Sequence, residues 1–388
     1  MELCDELKTM GQDVSIAVNH PDELDCYPSR NAVPIIPIAS ILTSRRSYDS
    51  VSYDIVHIHG LWSFVLHQVV QWSMRQKTPI IWSPHGMLAP WAMAHKRWKK
   101  ILPWIIYQKA DLKNATCFHA TSDLEVAWIR NLGFSQPCKI VPLGTTLPTK
   151  QTQGFSLKDK GTTRIILFIG RIYPVKNLDT LIRAFQRVKF GQQPSMFNRQ
   201  NWKLVLTGPD QAGHLSELST LATSIGLKVW ESNKGQGNMK GSRDSWITDE
   251  LRDVILHTNA DVFFTGALFE SSKDFVYRIA DFFALPSYTE NFAGVVVDAL
   301  AYGIPCVVSK NTPWKEVEDE KCGFWVENDI DGLADALLRM MSLSDEERQQ
   351  MGMRGHDWVS KKYTWNSVGL KMLGVYDKIL GIQKERSL

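Results

Sequence analysis

Glu290 and Asp298 stand eight residues apart in the stretch PSYTENFAGVVVDALAYGIPCVVS, Pro286 to Ser309, with Gly294 between them at the mouth of a predicted helix. A helix N-terminus presents unpaired amides and the positive end of a dipole, which suits a phosphate. Carboxylates accept hydrogen bonds from hydroxyls, which suits a sugar. Together these groups can hold a nucleotide sugar, so the stretch points to sugar transfer rather than hydride transfer. A nicotinamide-dependent dehydrogenase is disfavoured independently, because no strand runs into GxGxxG at a helix start.

Two cations join this set. In RIILFIGRIYPVKNLDTLIRAF, Gly170 and Arg171 fall at the end of a strand and Lys176 just before a helix. Arg makes forked contacts to phosphate and Lys acts as a point charge, so the pair at a helix start suits a pyrophosphate. Taken alone, the two charges read equally well as solvated surface residues. Their place on the same sheet edge as the Glu290 motif favours the site.

The first half carries His59 in HIHGLW, His85 in SPHGML and His119 in FHATS, each at or near the C-terminal end of a predicted strand. That edge is where open α/β sheets bind ligands. For His57 and His119 a hydrogen-bonded structural role is the better reading. His85 differs, because Gly86 allows close backbone approach and MLAPWAMAHKRW follows without a strand signal, as a crevice-lining loop would. A metal held by these histidines is disfavoured, since no carboxylate or thiolate stands at a ligand spacing.

The elements that must position these residues alternate between short Val/Ile/Phe-rich runs and helical patterns, the mark of parallel α/β domains. VSIAV, DIVHIHG, PIIWSPHG, TCFHATS and KIVPLG are strands of the first half; RIILFIGR, WKLVLTGP, DVFFTG, DFFALPS and IPCVVS are strands of the second. The expected organisation is an N-terminal Rossmann-like domain over 1–147, a linker over 148–163, a C-terminal Rossmann-like domain over 164–365 and a terminal helix over 366–388 that returns to the first domain. ESNKGQGNMKGSRDS, Glu231 to Ser245, is expected to be an inserted surface loop. Leu3, Leu7 and Met10 share a helical stripe that Gly11 can end, so the chain opens on a helix. A doubly wound domain normally opens on a central strand with a glycine-rich turn, and that strand is expected to be missing upstream.

Composition sets outer bounds. A chain of 388 residues with 44% apolar and 22% charged content is an ordinary globular protein of about two domains. A formal charge of +3 does not call for nucleic acid. Six cysteines without CxxC or zinc spacing fit a reducing cytosol, and the start lacks a basic and apolar leader. The cluster WAMAHKRWKKILPWIIYQK, Trp91 to Lys109, sets Trp91, Trp98 and Trp104 beside five cations. It suits an anionic bilayer surface and a lipid-linked acceptor equally with a helix that packs its tryptophans inward, Pro103 limiting its length.

GRIYPVKN, LVLTGPD, the Pro286–Ser309 block, TPWKEVEDEKCGFWV, SPHGML and FHATS together resemble the retaining group 1 (family 4) glycosyltransferases across nearly the whole chain after residue 14. The resemblance implies the GT-B fold, two Rossmann-like domains facing across a cleft. It implies that Arg171 and Lys176 neutralise the donor diphosphate, that Glu290 holds donor sugar hydroxyls, and that the turn of Phe292, Ala293 and Gly294 touches sugar and phosphate through backbone amides. The resemblance places Gly170, Gly208 and Asn291 in the same donor-binding set and His85, with His59 and Gly86, on the acceptor side. It makes His85, in contact with the transferred sugar or stabilising the transition state, a catalytic residue together with Arg171, Lys176 and Glu290. Asp298 stands where the family usually has a second Glu that binds ribose, one methylene shorter.

The resemblance further implies retaining transfer from a nucleotide sugar to a glycan or lipid-linked acceptor, in polysaccharide or glycolipid biosynthesis, without a metal or other cofactor. A cytoplasmic location, with peripheral contact at the inner face of the membrane, goes with it. Two alternatives are a GT-B nucleotide-sugar epimerase and a weakened or truncated relative kept as a binding protein.

Overall fold

The computed structural model describes residues 1–20, 31–43, 52–148, 161–191, 201–232 and 244–382. The chain divides into two compact units, Met1–Gly144 with Lys362–Leu388, and Thr145–Lys361. In the first, β1 (Ile16–Val18) pairs in parallel with β2 (Ile35–Pro37). A separate parallel sheet runs β3 (Val56–His59), β4 (Ile80–Ser83), β5 (Cys117–Ala120) and β6 (Cys138–Ile140) in sequential order.

Side-chain alternation assigns the two faces of that sheet. Ile58, Ile80, Trp82 and Phe118 enter one core with Val70, Leu112 and Ile129. Ile81 and Val141 pack instead against Val368, Met372 and Val375 of the terminal helix Trp365–Leu380. The sheet is therefore covered on both faces, as parallel sheets require. Thr364 caps the terminal helix by accepting from the Ser367 amide, a contact worth about 1 kcal/mol. Gly369 makes room for the opening helix Glu2–Thr9: a Cβ there would lie 3.0 Å from side-chain atoms of Glu6 and Met10. Among the described residues the chain before β1 thus forms a helix, with no strand ahead of residue 16.

The second unit holds a seven-stranded parallel sheet. Its strands are β7 (Thr163–Ile169), β8 (Asn201–Thr207), β9 (Val229–Glu231), β10 (Val262–Gly266), β11 (Phe282–Leu285), β12 (Cys306–Ser309) and β13 (Gly323–Val326), in the order β13-β12-β11-β7-β8-β10-β9. The order reverses beside β7, so the loops after β7 and β11 open at a switch point where α/β sheets bind ligands. Ile165 to Phe168 of β7 have no exposed surface, which explains their unbroken apolar run.

Three strands have no separate signal in sequence. β2 and β9 are only three residues long, and β2 ends on a proline. β13 begins at Gly323, which approaches the Cys306 carbonyl so tightly that a Cβ would fall 2.1 Å from its oxygen. The expected linker 148–163 lies mostly outside the described residues, and Thr163 already belongs to β7. Thr145 belongs to the second unit, and its hydroxyl donates to Asp298 at 2.7 Å. Residues 233–243 of the expected inserted loop also lie outside the described residues, and Asp244 begins the helix Asp244–His257. Among the described residues no helix is long and apolar enough to cross a membrane. Cys4, Cys117, Cys138, Cys306 and Cys322 are free thiols.

Candidate active site

In the second unit the site is assembled from three strand ends. After β7, Gly170 donates its amide to the Thr207 carbonyl at 2.9 Å and hands the chain to Arg171. Gly208 follows β8 with φ +147°, and a Cβ there would fall 1.8 Å from the Gly170 carbonyl oxygen. Only glycine permits that approach, which sets the two loops side by side. Arg171 reaches across it to Gln211, its guanidinium donating at 2.9 Å.

Lys176 ends a short 3-10 turn, Pro174–Lys176, and Asn177 takes a left-handed conformation to start helix Leu178–Phe190. The Asn177 carboxamide, fully buried, accepts from Thr180 and donates to Asn328, so the turn is held from inside. The Tyr288 amide donates to the Val175 carbonyl at 2.8 Å, tying this turn to the loop after β11. Lys176 Nζ then meets Glu290 Oε1 at 2.5 Å. Both side chains are largely enclosed, 13% and 11% exposed, so their charges interact through protein rather than through water.

Ala293 adopts φ +62° and starts helix Gly294–Ala301, whose leading amides point into this corner. The turn before it is anchored by Trp314, buried beneath it, whose indole N–H donates to the Phe292 carbonyl while the two rings pack at 5.1 Å. Trp314 lies in the TPWKEVEDEKCGFWV stretch, where spacing alone assigns it no role; an indole at a fixed distance behind the motif is the one signal it leaves in the sequence. Asp298, one turn inside the helix, accepts from the buried Thr145 hydroxyl on Oδ1 and faces Lys273 Nζ at 3.4 Å on Oδ2. Burial and the nearby Asp298 charge push the Tyr277 phenol well above its ordinary value. Gly170, Arg171, Lys176, Gly208, Glu290, Asn291, Phe292, Ala293, Gly294 and Asp298 thus all belong to loops and helix starts at one edge of one sheet.

In the first unit the histidines come together at the end of β3, β4 and β5. His57 and His59 project from the same face, with ring centroids 4.3 Å apart. His59 Nδ1 and His85 Nε2 lie 2.8 Å apart and their rings stack. Proton bookkeeping assigns the remaining contacts. His119 Nε2 meets the Val141 carbonyl at 2.8 Å and must donate, so in the neutral ring Nδ1 accepts from the Ser83 hydroxyl at 2.7 Å. Ser83 Oγ in turn accepts from His57 Nε2 at 2.7 Å, and His57 Nδ1 accepts from the Tyr376 hydroxyl at 2.8 Å. The result is one directed chain from the terminal helix through two neutral imidazoles to the backbone.

Burial favours that neutrality. It depresses His57 well below its ordinary value, reinforced by His59, His119 and His85, and depresses His119 to about 4. His59 is lowered by burial and by His85, but it keeps an edge open to water, which screens it. His85 is lowered by burial, against which the Glu125 carboxylate pulls upward. Among the described residues, no group of three or more His, Cys, Asp or Glu is arranged to hold a metal ion.

Comparison with known proteins gives this geometry a family. Residues 149–230 and 248–358 match the model of glycosyl transferases group 1, and residues 1–147 match the model of glycosyltransferase family 4. The chain belongs to this family, and it has the GT-B fold. A D-inositol 3-phosphate glycosyltransferase of Salinispora tropica is 28% identical over 57% of this chain and 40% of its own length. One from Actinosynnema mirum is 26% identical over 70% of this chain and 59% of its own. This chain therefore spans about two fifths to three fifths of these relatives. Among solved structures, sucrose-phosphate synthase of Thermosynechococcus elongatus aligns over 98% of this chain and 92% of that one, at TM-score 0.65 and 18% identity. The Anabaena protein HepE in complex with UDP and glucose aligns over 97% and 95%, at TM-score 0.69 and 15% identity.

Proposed function

We propose that the chain is a retaining glycosyltransferase that moves a sugar from a nucleotide-sugar donor to a glycan or lipid-linked acceptor without a metal. The observation that carries the reading is the enclosed Lys176–Glu290 pair, 2.5 Å apart at the head of helix Gly294–Ala301. Breaking the bond from the anomeric carbon to phosphate builds positive charge on the ring and negative charge on the departing diphosphate. Lys176 keeps further N–H donors beyond its bond to Glu290, and with Arg171 and the helix amides it supplies a preorganised positive field for the leaving group. Glu290 offers its second oxygen to donor hydroxyls. His85 is assigned to the acceptor side, with His59 behind it. HepE, crystallised with UDP and glucose, supports a nucleotide-linked hexose as the donor class. Retention without a dedicated nucleophile means same-face attack, with the leaving oxygen taking the acceptor proton.

The lipid-linked acceptor is supported by the segment after His85. Trp98, Ile101, Leu102, Ile105 and Ile106 are all exposed, Trp98 and Ile105 at 73%. Only Trp104 follows the inward-packing alternative, against Trp62 and Phe134. Lys96, Arg97 and Lys99 border the exposed row, the composition of a helix that lies on anionic lipid. The protein is expected to float with phosphatidylglycerol-containing vesicles and not with neutral phosphatidylcholine vesicles; equal flotation with both, or none, overturns the membrane contact.

A binding protein without turnover is the second reading, favoured by the commitment of Asp298 to Thr145 and Lys273. A thermal-shift panel of UDP-glucose, GDP-mannose and ADP-glucose tests the donor site, since a ligand that binds only the folded state raises its stability. Slow hydrolysis of the stabilising donor without acceptor separates enzyme from binder; a donor that binds and is never cleaved favours the binder. No shift with any of the three, together with no hydrolysis, overturns the donor assignment.

A further inference from the structure

Glu125 is a carboxylate with no exposed surface, placed in the first turn of helix Asp123–Asn131, immediately after β5. Burying such a group is costly unless its oxygens are satisfied. Here they are: Oε1 accepts the Gly86 amide at 2.6 Å, and Oε2 accepts the Thr121 amide at 2.8 Å and the Thr121 hydroxyl at 2.9 Å. All three donors are neutral. The helix start that carries Glu125 is capped separately by Ser122, whose hydroxyl accepts the Glu125 amide, so the carboxylate is not needed as a cap.

What the carboxylate holds is unusual. His85 and Gly86 are consecutive left-handed residues, φ +51° and +74°. That conformation costs a histidine free energy, and it persists only where the surroundings enforce it. The Met87 amide closes the turn on the Pro84 carbonyl at 3.1 Å, and the bond from Gly86 to Glu125 ties the strained pair to the helix after β5. The titratable groups around the His85 ring are His59, whose Nδ1 is 2.8 Å away, His57 and His119 behind it, and Glu125 across the turn. Among these Glu125 is the acid, so it favours positive charge on the ring against burial.

We infer that Glu125 is a positioning residue for His85: it anchors the left-handed His85–Gly86 turn through the Gly86 amide and places a carboxylate behind the imidazole. The inference rests on the assignment of His85 to catalysis. It adds that the strength of His85 as a donor or charge-bearing group is set by a side chain that touches no substrate. Sequence alone could not pair positions 86 and 125, because 39 positions, with several helical segments and β5 among them, separate the two.

Glu125→Gln tests it, because glutamine keeps the shape and must turn its NH2 toward a backbone N–H. The His85 ring of the whole chain, followed by NMR, is expected to titrate at lower pH in E125Q than in the wild type. The Gly86 amide is expected to exchange with solvent at least tenfold faster. With the nucleotide sugar that gives the largest thermal shift among UDP-glucose, GDP-mannose and ADP-glucose, the hydrolysis rate should fall about tenfold while donor KM holds. Ser122→Ala, which weakens the same helix start without touching Gly86, should move neither the titration nor the exchange.

An unchanged His85 titration and unchanged Gly86 exchange in E125Q overturn the inference, as does an equal effect of S122A. If E125Q does not fold, the wild-type protein decides: a Gly86 amide that exchanges as fast as an open loop amide refutes the bond. His85→Ala with undiminished hydrolysis would defeat the catalytic assignment while leaving the two NMR results standing, so the two failures are distinguishable.

Discussion

The two units place chemistry at the C-terminal ends of parallel strands in opposite electrostatic styles. The second unit uses full charges held in pairs, Lys176 with Glu290 and Lys273 with Asp298, around a helix N-terminus. The first uses imidazoles kept neutral by burial and joined by Ser83 and Tyr376 into one directed hydrogen-bond chain. The difference follows the tasks proposed for them. A departing diphosphate needs fixed positive charge, whereas an acceptor-side group must be able to share a proton without carrying a standing charge.

The charged half is broken most severely at Lys176. Lys176→Ala is expected to lower turnover by ~100-fold or more, the scale of losing a preorganised contact to developing charge. Because Glu290 is then left enclosed and unpaired, K176A also loses roughly 3 kcal/mol of stability. Lys176→Met combined with Glu290→Gln should recover most of that stability and none of the turnover. A double variant that recovers both would show the pair to be structural only. Steady-state hydrolysis and urea unfolding of the three proteins separate these outcomes.

Gly208→Ala probes the backbone on which that half is built. The new Cβ would collide with the Gly170 carbonyl, and a loss of roughly 3 kcal/mol is expected from overpacking and strain. Unfolding at the wild-type urea midpoint would show that the two loops can part without penalty.

Acid should act on the neutral half. His119 titrates near 4 in the folded unit against 6.5 as the ordinary value, so the folded state resists a proton that the unfolded chain accepts. Its contribution is fully present above pH 6.5 and is lost as pH falls from there toward 4. By pH 5 the loss amounts to roughly 2 kcal/mol. His119→Asn should flatten that slope. Hydrogen exchange in β5 against β7 between pH 7 and 5 is the direct measurement, and parallel losses in both strands would erase the contrast between the units.

The smallest effect belongs to Lys273, which is partly open to solvent and 3.4 Å from Asp298. Lys273→Met is expected to change donor KM by only about twofold to fivefold, in keeping with an exposed ion pair. A change of a hundredfold would mean that this second pair, and not Lys176 with Glu290, dominates donor binding.

How much of this is legible in sequence depends on how local each feature is. The Pro286–Ser309 block reads directly, since its strand, turn, glycine and helix are contiguous and the Gly294 helix starts where that pattern puts it. The terminal helix and its Thr364 cap are equally local. β2, β9 and β13 are too short to show a period, and they exist because neighbouring strands supply their hydrogen bonds. Trp314 beneath Phe292 and Thr145 on Asp298 are partners over 22 and 153 positions, distances at which no spacing rule operates.

By itself the sequence determined the α/β class, the cations and acids of the second unit's sheet edge, and the helix mouth between them, because each is a short-range pattern of residue types. Only the tertiary structure decided that Lys176 is spent partly on Glu290, that Asp298 is already engaged, and that four histidines at three strand ends form one cluster. It also joined Glu125 to the His85 turn. Those outcomes depend on which side chains are brought together and shut away from water, and burial, unlike spacing, is a property of the folded chain.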